Sequence, residues 1–221
     1  MTQSKARTSE VNRQKILEAG RRLILEQGID ALSVRKLAQA SNLALRSIYN
    51  LYGNKENVLV ALFELGTREL DDAMDLLEAA MARSTWKTQF YLEWLDRVEP
   101  MFLKNAAIIK PGVIAGFSQA ASASEQTSRL HGKRIQRLKD ALALAADQDL
   151  IWKDLDLDVS ARLLYGNYFN VVVQWAKGEL DDRELIVYGR YAILTILHTL
   201  INDPGRRENA LTLLRELKEK K

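Results

Sequence analysis

Residues 33–55 read Ser-Val-Arg-Lys-Leu-Ala-Gln-Ala-Ser-Asn-Leu-Ala-Leu-Arg-Ser-Ile-Tyr-Asn-Leu-Tyr-Gly-Asn-Lys, and they leave few ways to fold. Val34, Leu37 and Ala38 recur at i, i+3 and i+4, one apolar face of a helix. Asn42 follows, a residue that tolerates the left-handed backbone of a sharp turn. Ile48, Tyr49 and Tyr52 continue an apolar stripe on a second short helix, and Asn54-Lys55 opens a third. Two short helices crossing at a sharp turn make a helix-turn-helix, whose second helix can enter a DNA major groove.

The rest of the 221 residues also reads as helix, since 3 prolines, 11 glycines and long stripes of 3.6 period leave little room for a sheet. The expected fold class is all-α. A first helix is expected from Ser9, as N-cap, to Gln27, stopped by Gly28, with residues 1–8 as a disordered arm. The helix opened by Asn54 carries Val58, Leu59, Leu62, Phe63, Leu70, Ala73, Leu76 and Leu77, which predicts one long helix to about Arg83. Trp86 to Ile109 reads as a helix interrupted by Pro100, and Pro111-Gly112 as a break. A short helix over 112–120, a long one over 124–146 and a connector over 147–156 follow. Helices over 158–177 and 185–201 come next, the second started by Asp181-Asp182-Arg183-Glu184. Pro204-Gly205 ends it, and 206–221 forms a charged tail helix.

Two of these helices are apolar around most of their circumference. Leu164, Val171, Val172 and Trp175 lie on the first, and Ile193, Leu194, Leu197 and Ile201 on the second. A helix apolar all round is buried on all sides. Two adjacent ones exceed what a thin monomeric domain readily covers, so an interface between copies is the economical account. A core internal to one chain is the alternative.

Charge is unevenly spread. Residues 1–60 hold ten Lys and Arg against five Asp and Glu, while the remainder holds 22 against 24. A basic head on a mildly acidic body suits one part meeting phosphate and another that need not. Cysteine is absent, which excludes disulfides, thiolate metal sites and a cysteine nucleophile. No Gly-rich phosphate loop, Gly-x-Ser-x-Gly or nucleophile–base pair appears, so an enzyme is not expected, and no cofactor. The N-terminus is polar and no run approaches the ~18 apolar residues of a membrane span, so a cytoplasmic location off the membrane is expected. His131 and His198 are far apart and lack a carboxylate motif, so no metal site is expected; His131 reads as exposed and His198 as an interface residue.

Ile16 to Leu59 resembles the DNA-binding domain of the tetracycline-repressor (TetR) family of transcriptional regulators. The resemblance rests on Ile16-Leu17-Glu18-Ala19, Gln27-Gly28, Ser33-Val34-Arg35-Lys36-Leu37-Ala38, Ser47-Ile48-Tyr49-Asn50-Leu51-Tyr52 and Asn54-Lys55-Glu56. It covers about the first quarter of the chain. Asn42 and Ala44 depart from it, standing where the family commonly has Gly in the turn and Ser or Thr as the cap of the reading helix. Arg46 stands where the family often has a small residue.

The resemblance implies a three-helix helix-turn-helix domain over 1–54 and a helical ligand-binding and dimerisation domain over 55–221. It implies a homodimer on a near-palindromic double-stranded operator, most simply as a repressor, with heads in successive major grooves. Tyr49 matches the family tyrosine that reaches a phosphate, and Lys55, at a helix N-terminus, its phosphate anchor. By residue type, Ser33 and Ser47 can donate to phosphate, while Leu45, Arg46 and Asn50 are placed to meet base edges; Arg46 could equally contact phosphate. The family's last two long helices form the dimer, which matches the two apolar helices above. A small, largely apolar effector is expected among Trp86, Tyr91, Trp94, Met101, Phe102, Phe117, Trp152, Tyr165, Tyr168 and Phe169, although aromatics at helical spacing are more often core. The rival reading is a helical protein–protein adaptor, or a DNA-binding protein without a ligand.

Overall fold

The computed structural model describes residues 2–68, 75, 89–117 and 125–219, with 2–5, 89–94, 125–127 and 219 as backbone. Ten α-helices occur among them: α1 Thr2–Gln27, α2 Val34–Ser41, α3 Leu45–Tyr52, α4 Lys55–Gly66, α5 Gln89–Lys104, α6 Ala106–Gly116, α7 Glu125–Asp147, α8 Leu157–Lys177, α9 Asp182–Leu200 and α10 Pro204–Glu219. No strand appears among the described residues, only an isolated bridge between Ile151 and Ile201. The chain packs as two compact units. One comprises Met1–Thr67 with Asn105–Ser128, the other Arg68–Lys104 with Arg129–Lys221. This division by packing differs from the division by role drawn at residues 54 and 55, because α4 and α6 bury their apolar faces in the first unit.

In the first unit α1 reaches back to Thr2, so neither the disordered arm over 1–8 nor the cap at Ser9 is found. Nothing between Thr2 and Ser9 is a Gly or Pro, and extending a formed helix adds a hydrogen bond per residue without a new nucleus. Gly28 stops the helix at φ 80°, and its N–H donates to the Ile24 carbonyl at 2.9 Å. Ile16, Leu23, Ile24, Leu32, Leu37, Ile48, Tyr52, Val58 and Leu62 close one core. The Arg13 guanidinium lies over the Tyr52 ring, 5.2 Å from its centroid, and Arg22 Nη2 donates to the Ala40 carbonyl at 3.2 Å.

The expected long helix from Asn54 stops at Gly66, with Thr67 as C-cap and its hydroxyl donating to the Phe63 carbonyl at 2.9 Å. Of the stripe expected beyond it, Leu70, Ala73, Leu76 and Leu77 fall outside the described residues. The break expected at Pro111-Gly112 is absent, for α6 runs through both. Pro111 removes one ladder hydrogen bond, and Gly112 lets α6 lie directly on α4. A Cβ at Gly112 would overlap that of Phe63 and stand 2.8 Å from the Leu59 carbonyl oxygen.

In the second unit α5 passes through Pro100 without ending and stops at Lys104. Asn105, which belongs to the first unit, accepts on its carbonyl from both Ile108 and Ile109 at 2.9 Å. The α8 start is capped by Asp156, which accepts from Asp158 and Val159, and Gly178 ends the helix in the left-handed region. Asp181 and Glu184 form a reciprocal capping box at α9. Trp175, fully buried, satisfies its indole N–H on Asp182 Oδ1 at 2.7 Å. Leu194, Leu214 and Leu217 join α10 to α9.

Candidate nucleic-acid interface

The helix-turn-helix is built from α2, α3 and the turn between them. Ser33 caps α2 by accepting from the Lys36 N–H at 3.2 Å. Asn42 ends it at φ 54°, ψ 43°, the left-handed geometry expected of it, with its N–H on the Ala38 and Gln39 carbonyls. Ala44 stands at the α3 N-cap with no side-chain hydrogen bond, a deficit of about 1 kcal/mol against a Ser or Thr cap. That leaves the N-terminus of α3 uncovered by any capping side chain.

α3 buries Ile48 and Tyr52 and presents its other face. Leu45 is 40% exposed and Tyr49 51%, and Arg46 and Asn50 are exposed beside them. Ser47 is half-buried on the same helix. Four of the seven expected DNA-facing residues therefore share one open surface. Ser33 is exposed one helix earlier; its oxygen is engaged in the cap, which leaves its O–H free to donate.

Lys55 begins α4, half-buried, behind the Asn54 cap that accepts from the Asn57 N–H at 2.8 Å. An ammonium at a helix N-terminus adds to the partial positive charge of the exposed N–H groups, which is anion-binding chemistry. Only Gly53, at φ 77°, and Asn54 separate α3 from α4. Asn57, which is not among the expected site residues, donates its Nδ2 to the Tyr52 carbonyl at 2.7 Å and so joins the two helices. Nothing in its spacing marks this, since an Asn in a first helical turn is ordinary.

Residues 16–62, which hold all of this geometry, match the profile of the bacterial regulatory proteins of the tetR family. This segment of the chain is similar to the DNA-binding region of that family. The chain is 27% identical over 154 residues to the uncharacterised HTH-type transcriptional regulator YdeS of Bacillus subtilis, covering 70% of this chain and 74% of that one. Over 51 residues, 23% of this chain and 27% of the other, it is 39% identical to the HTH-type transcriptional repressor AcnR of Corynebacterium glutamicum. The fold is similar to that of Thermus thermophilus FadR, a TetR family transcriptional repressor solved in complex with lauroyl-CoA. There the TM-score is 0.67 at 16% identity, over 86% of this chain and 96% of that one.

The described members of the expected pocket do not form one wall. Trp86 lies outside the described residues, as do the side chains of Tyr91 and Trp94. Phe117 is 58% exposed in the first unit, and Trp152 is 42% exposed on the connector with the Arg207 guanidinium over its ring, so neither lines an interior. Met101 and Phe102 are buried; Phe102 packs edge-on against Tyr168 and Trp175 at 6.2 and 6.3 Å. Tyr165 and Phe169 stack at 5.5 Å, and His131, expected exposed, is half-buried against both. His131 Nδ1 is 2.5 Å from the Tyr165 hydroxyl. Burial, with Arg134 adding to it, holds the His131 imidazole below its usual range, and burial raises the Tyr165 phenol.

The second unit also holds a buried charge that the sequence concealed. Glu99 is 2% exposed and takes Arg190 Nε on both oxygens, at 2.9 and 3.1 Å, while Arg190 Nη2 reaches Asp96 Oδ1 at 2.6 Å. Burial pushes the Glu99 carboxyl up, opposed by Arg190. Burial likewise pushes the Tyr168 phenol up.

The residues expected at a dimer interface are core of a single protomer. Leu164, Val172, Trp175, Leu194, Leu197 and Ile201 are at most 1% exposed, Ile193 is 5% and Val171 8%. Side chains so covered have no surface left for a partner, so the all-round apolarity is accounted for within one chain. The same helices expose Val159 and Leu163 on α8 and Tyr191 on α9. Tyr191 borders a surface groove of about 450 Å³ lined also by Val187, Tyr188, Ala192, Leu217 and Lys218. Among the described residues no helix is long and apolar enough to cross a membrane.

Proposed function

We propose that this protein is a ligand-responsive transcriptional repressor that binds a near-palindromic operator as a homodimer. The observation that carries the reading is the two-faced α3: Ile48 and Tyr52 are buried, while Leu45, Arg46, Tyr49 and Asn50 are presented to solvent beside the Lys55 helix start. Arg46 donates to a guanine edge, Leu45 meets a thymine methyl, and Ser33, Ser47, Tyr49 and Lys55 hold phosphates. Two copies meet through the exposed faces of α8 and α9, where Val159, Leu163 and Tyr191 lie. The effector is largely apolar and enters the body near Met101, Phe102, Tyr165, Tyr168 and Phe169; the lauroyl-CoA complex of the similarly folded FadR supports an acyl-bearing one. Ligand and DNA then weaken each other's binding by the same factor.

Fluorescence anisotropy with duplexes from upstream of the protein's own gene tests this. Saturable, sequence-selective binding by a dimer is expected, and mass spectrometry of co-purified small molecules is expected to return a lipophilic compound that lowers operator affinity. Binding that is weak and indifferent to sequence would overturn the reading.

A further inference from the structure

The last carbonyls of a helix have no partner within it. At the end of α3 the Tyr52 carbonyl accepts from Asn57 Nδ2 at 2.7 Å, so the reading helix is capped by a side chain of the helix that follows. The backbone N–H of the same Asn57 closes the α4 cap on Asn54 Oδ1 at 2.8 Å. One residue therefore fastens the end of α3 to the start of α4. The connecting residues hold the two helices weakly by themselves. Gly53 lies at φ 77°, ψ −48°, and its N–H on the Tyr49 carbonyl ties it only to α3.

The other end of the Asn57 amide is informative. Its Oδ1 is buried with no hydrogen-bond donor. A buried acceptor left unpaired loses the hydration it had in the unfolded chain, which offsets much of what the Nδ2 bond contributes. Asn57 is thus a poor choice for stability and a specific one for geometry.

We propose that Asn57 is a positioning residue for DNA recognition, setting the spacing between the base-reading face of α3 and the phosphate-facing start of α4. It touches no DNA itself. Leu45, Arg46 and Asn50 must meet base edges while Lys55 meets the backbone, on a duplex whose groove-to-phosphate distance is given. Fixing that spacing before binding removes the cost of ordering it on the DNA. Binding to unrelated sequence rests on phosphate contacts alone and does not need both surfaces in register.

The inference rests on the DNA reading of α3, and the experiment separates the two. The unmodified full-length protein is used to select a duplex from a random-sequence pool. Its affinity and that of Asn57→Ala are then measured by anisotropy on the selected and on a scrambled duplex at several salt concentrations, with thermal melts of both proteins. Asn57→Ala keeps the backbone N–H and hence the α4 cap. The expected result is a loss of about tenfold on the selected duplex, within about twofold on the scrambled one, with an unchanged salt slope and an unchanged melt. Equal losses on both duplexes, or no loss on either, would overturn the positioning role while leaving the DNA reading standing. A protein that selects no sequence overturns both. If Asn57→Ala does not fold, Asn57→Met, which keeps the bulk and lacks the donor, is read by the same outcomes.

Discussion

Gly112 on α6 sits so close to Phe63 on α4 that a Cβ there would overlap the Phe63 Cβ. The Leu59 carbonyl oxygen, 2.8 Å from the same position, is backbone and cannot turn aside. Gly112→Ala is therefore expected to destabilise the first unit by about 1–3 kcal/mol, the usual range for overpacking a filled core. Circular-dichroism melting checks this, and a variant as stable as the parent would show that α4 and α6 do not pack this closely.

Lys55→Ala is expected to weaken binding to every duplex by a similar factor and to reduce the slope of log affinity against log salt by about 1. A salt titration on operator and scrambled DNA reads it. An unchanged slope would remove Lys55 from the phosphate contacts.

Arg46→Ala is expected to relax preference at one operator position, at about 1–3 kcal/mol of discrimination. Repeating the sequence selection with the variant reads the result. A uniform loss over all positions would instead assign Arg46 to phosphate.

Arg190→Leu leaves the Glu99 carboxylate buried without its two-point partner, and burial already disfavours its ionised form. Breaking such a pair on one side costs about 3–5 kcal/mol. Urea unfolding should show that loss, with much of it restored in the double variant Glu99→Leu/Arg190→Leu. A double variant no better than the single would mean that the pair contributes net stability.

His131 binds its proton less readily in the folded chain than in the unfolded one, because burial and Arg134 disfavour the imidazolium. Stability present above the unfolded value of about 6.5 is thus lost as pH falls through it, and the loss levels off below the folded value. Melting curves between pH 8 and 5 should show this slope in the parent and a flatter one in His131→Phe, which keeps the ring against Tyr165 and Phe169. Parallel curves would exclude His131 as the cause.

Much of the helix-turn-helix unit was legible because its signals are local. The left-handed Asn42, the Ser33 and Asn54 caps and the uncapped Ala44 all follow from residues within one or two helical turns, whereas Tyr49, expected on the apolar stripe with Ile48 and Tyr52, is exposed. One helix start in the body followed for the same reason, at Asp181–Glu184. Pro100 and Pro111 misled, because a proline removes one hydrogen bond but does not forbid a helix whose other face is held by packing.

What the sequence by itself determined was the helical class, the two-faced α3 and the basic charge around it, since periodicity and short-range hydrogen bonding decide these. Only the tertiary structure decided that Leu164, Trp175, Leu194 and Leu197 are covered within one chain, because apolarity states that a side chain is buried and not by what. It alone brought Glu99 to Arg190, 91 residues away, and exposed the bond from Asn57 to Tyr52. Such partners are chosen by how helices cross, and no spacing along the chain records that angle.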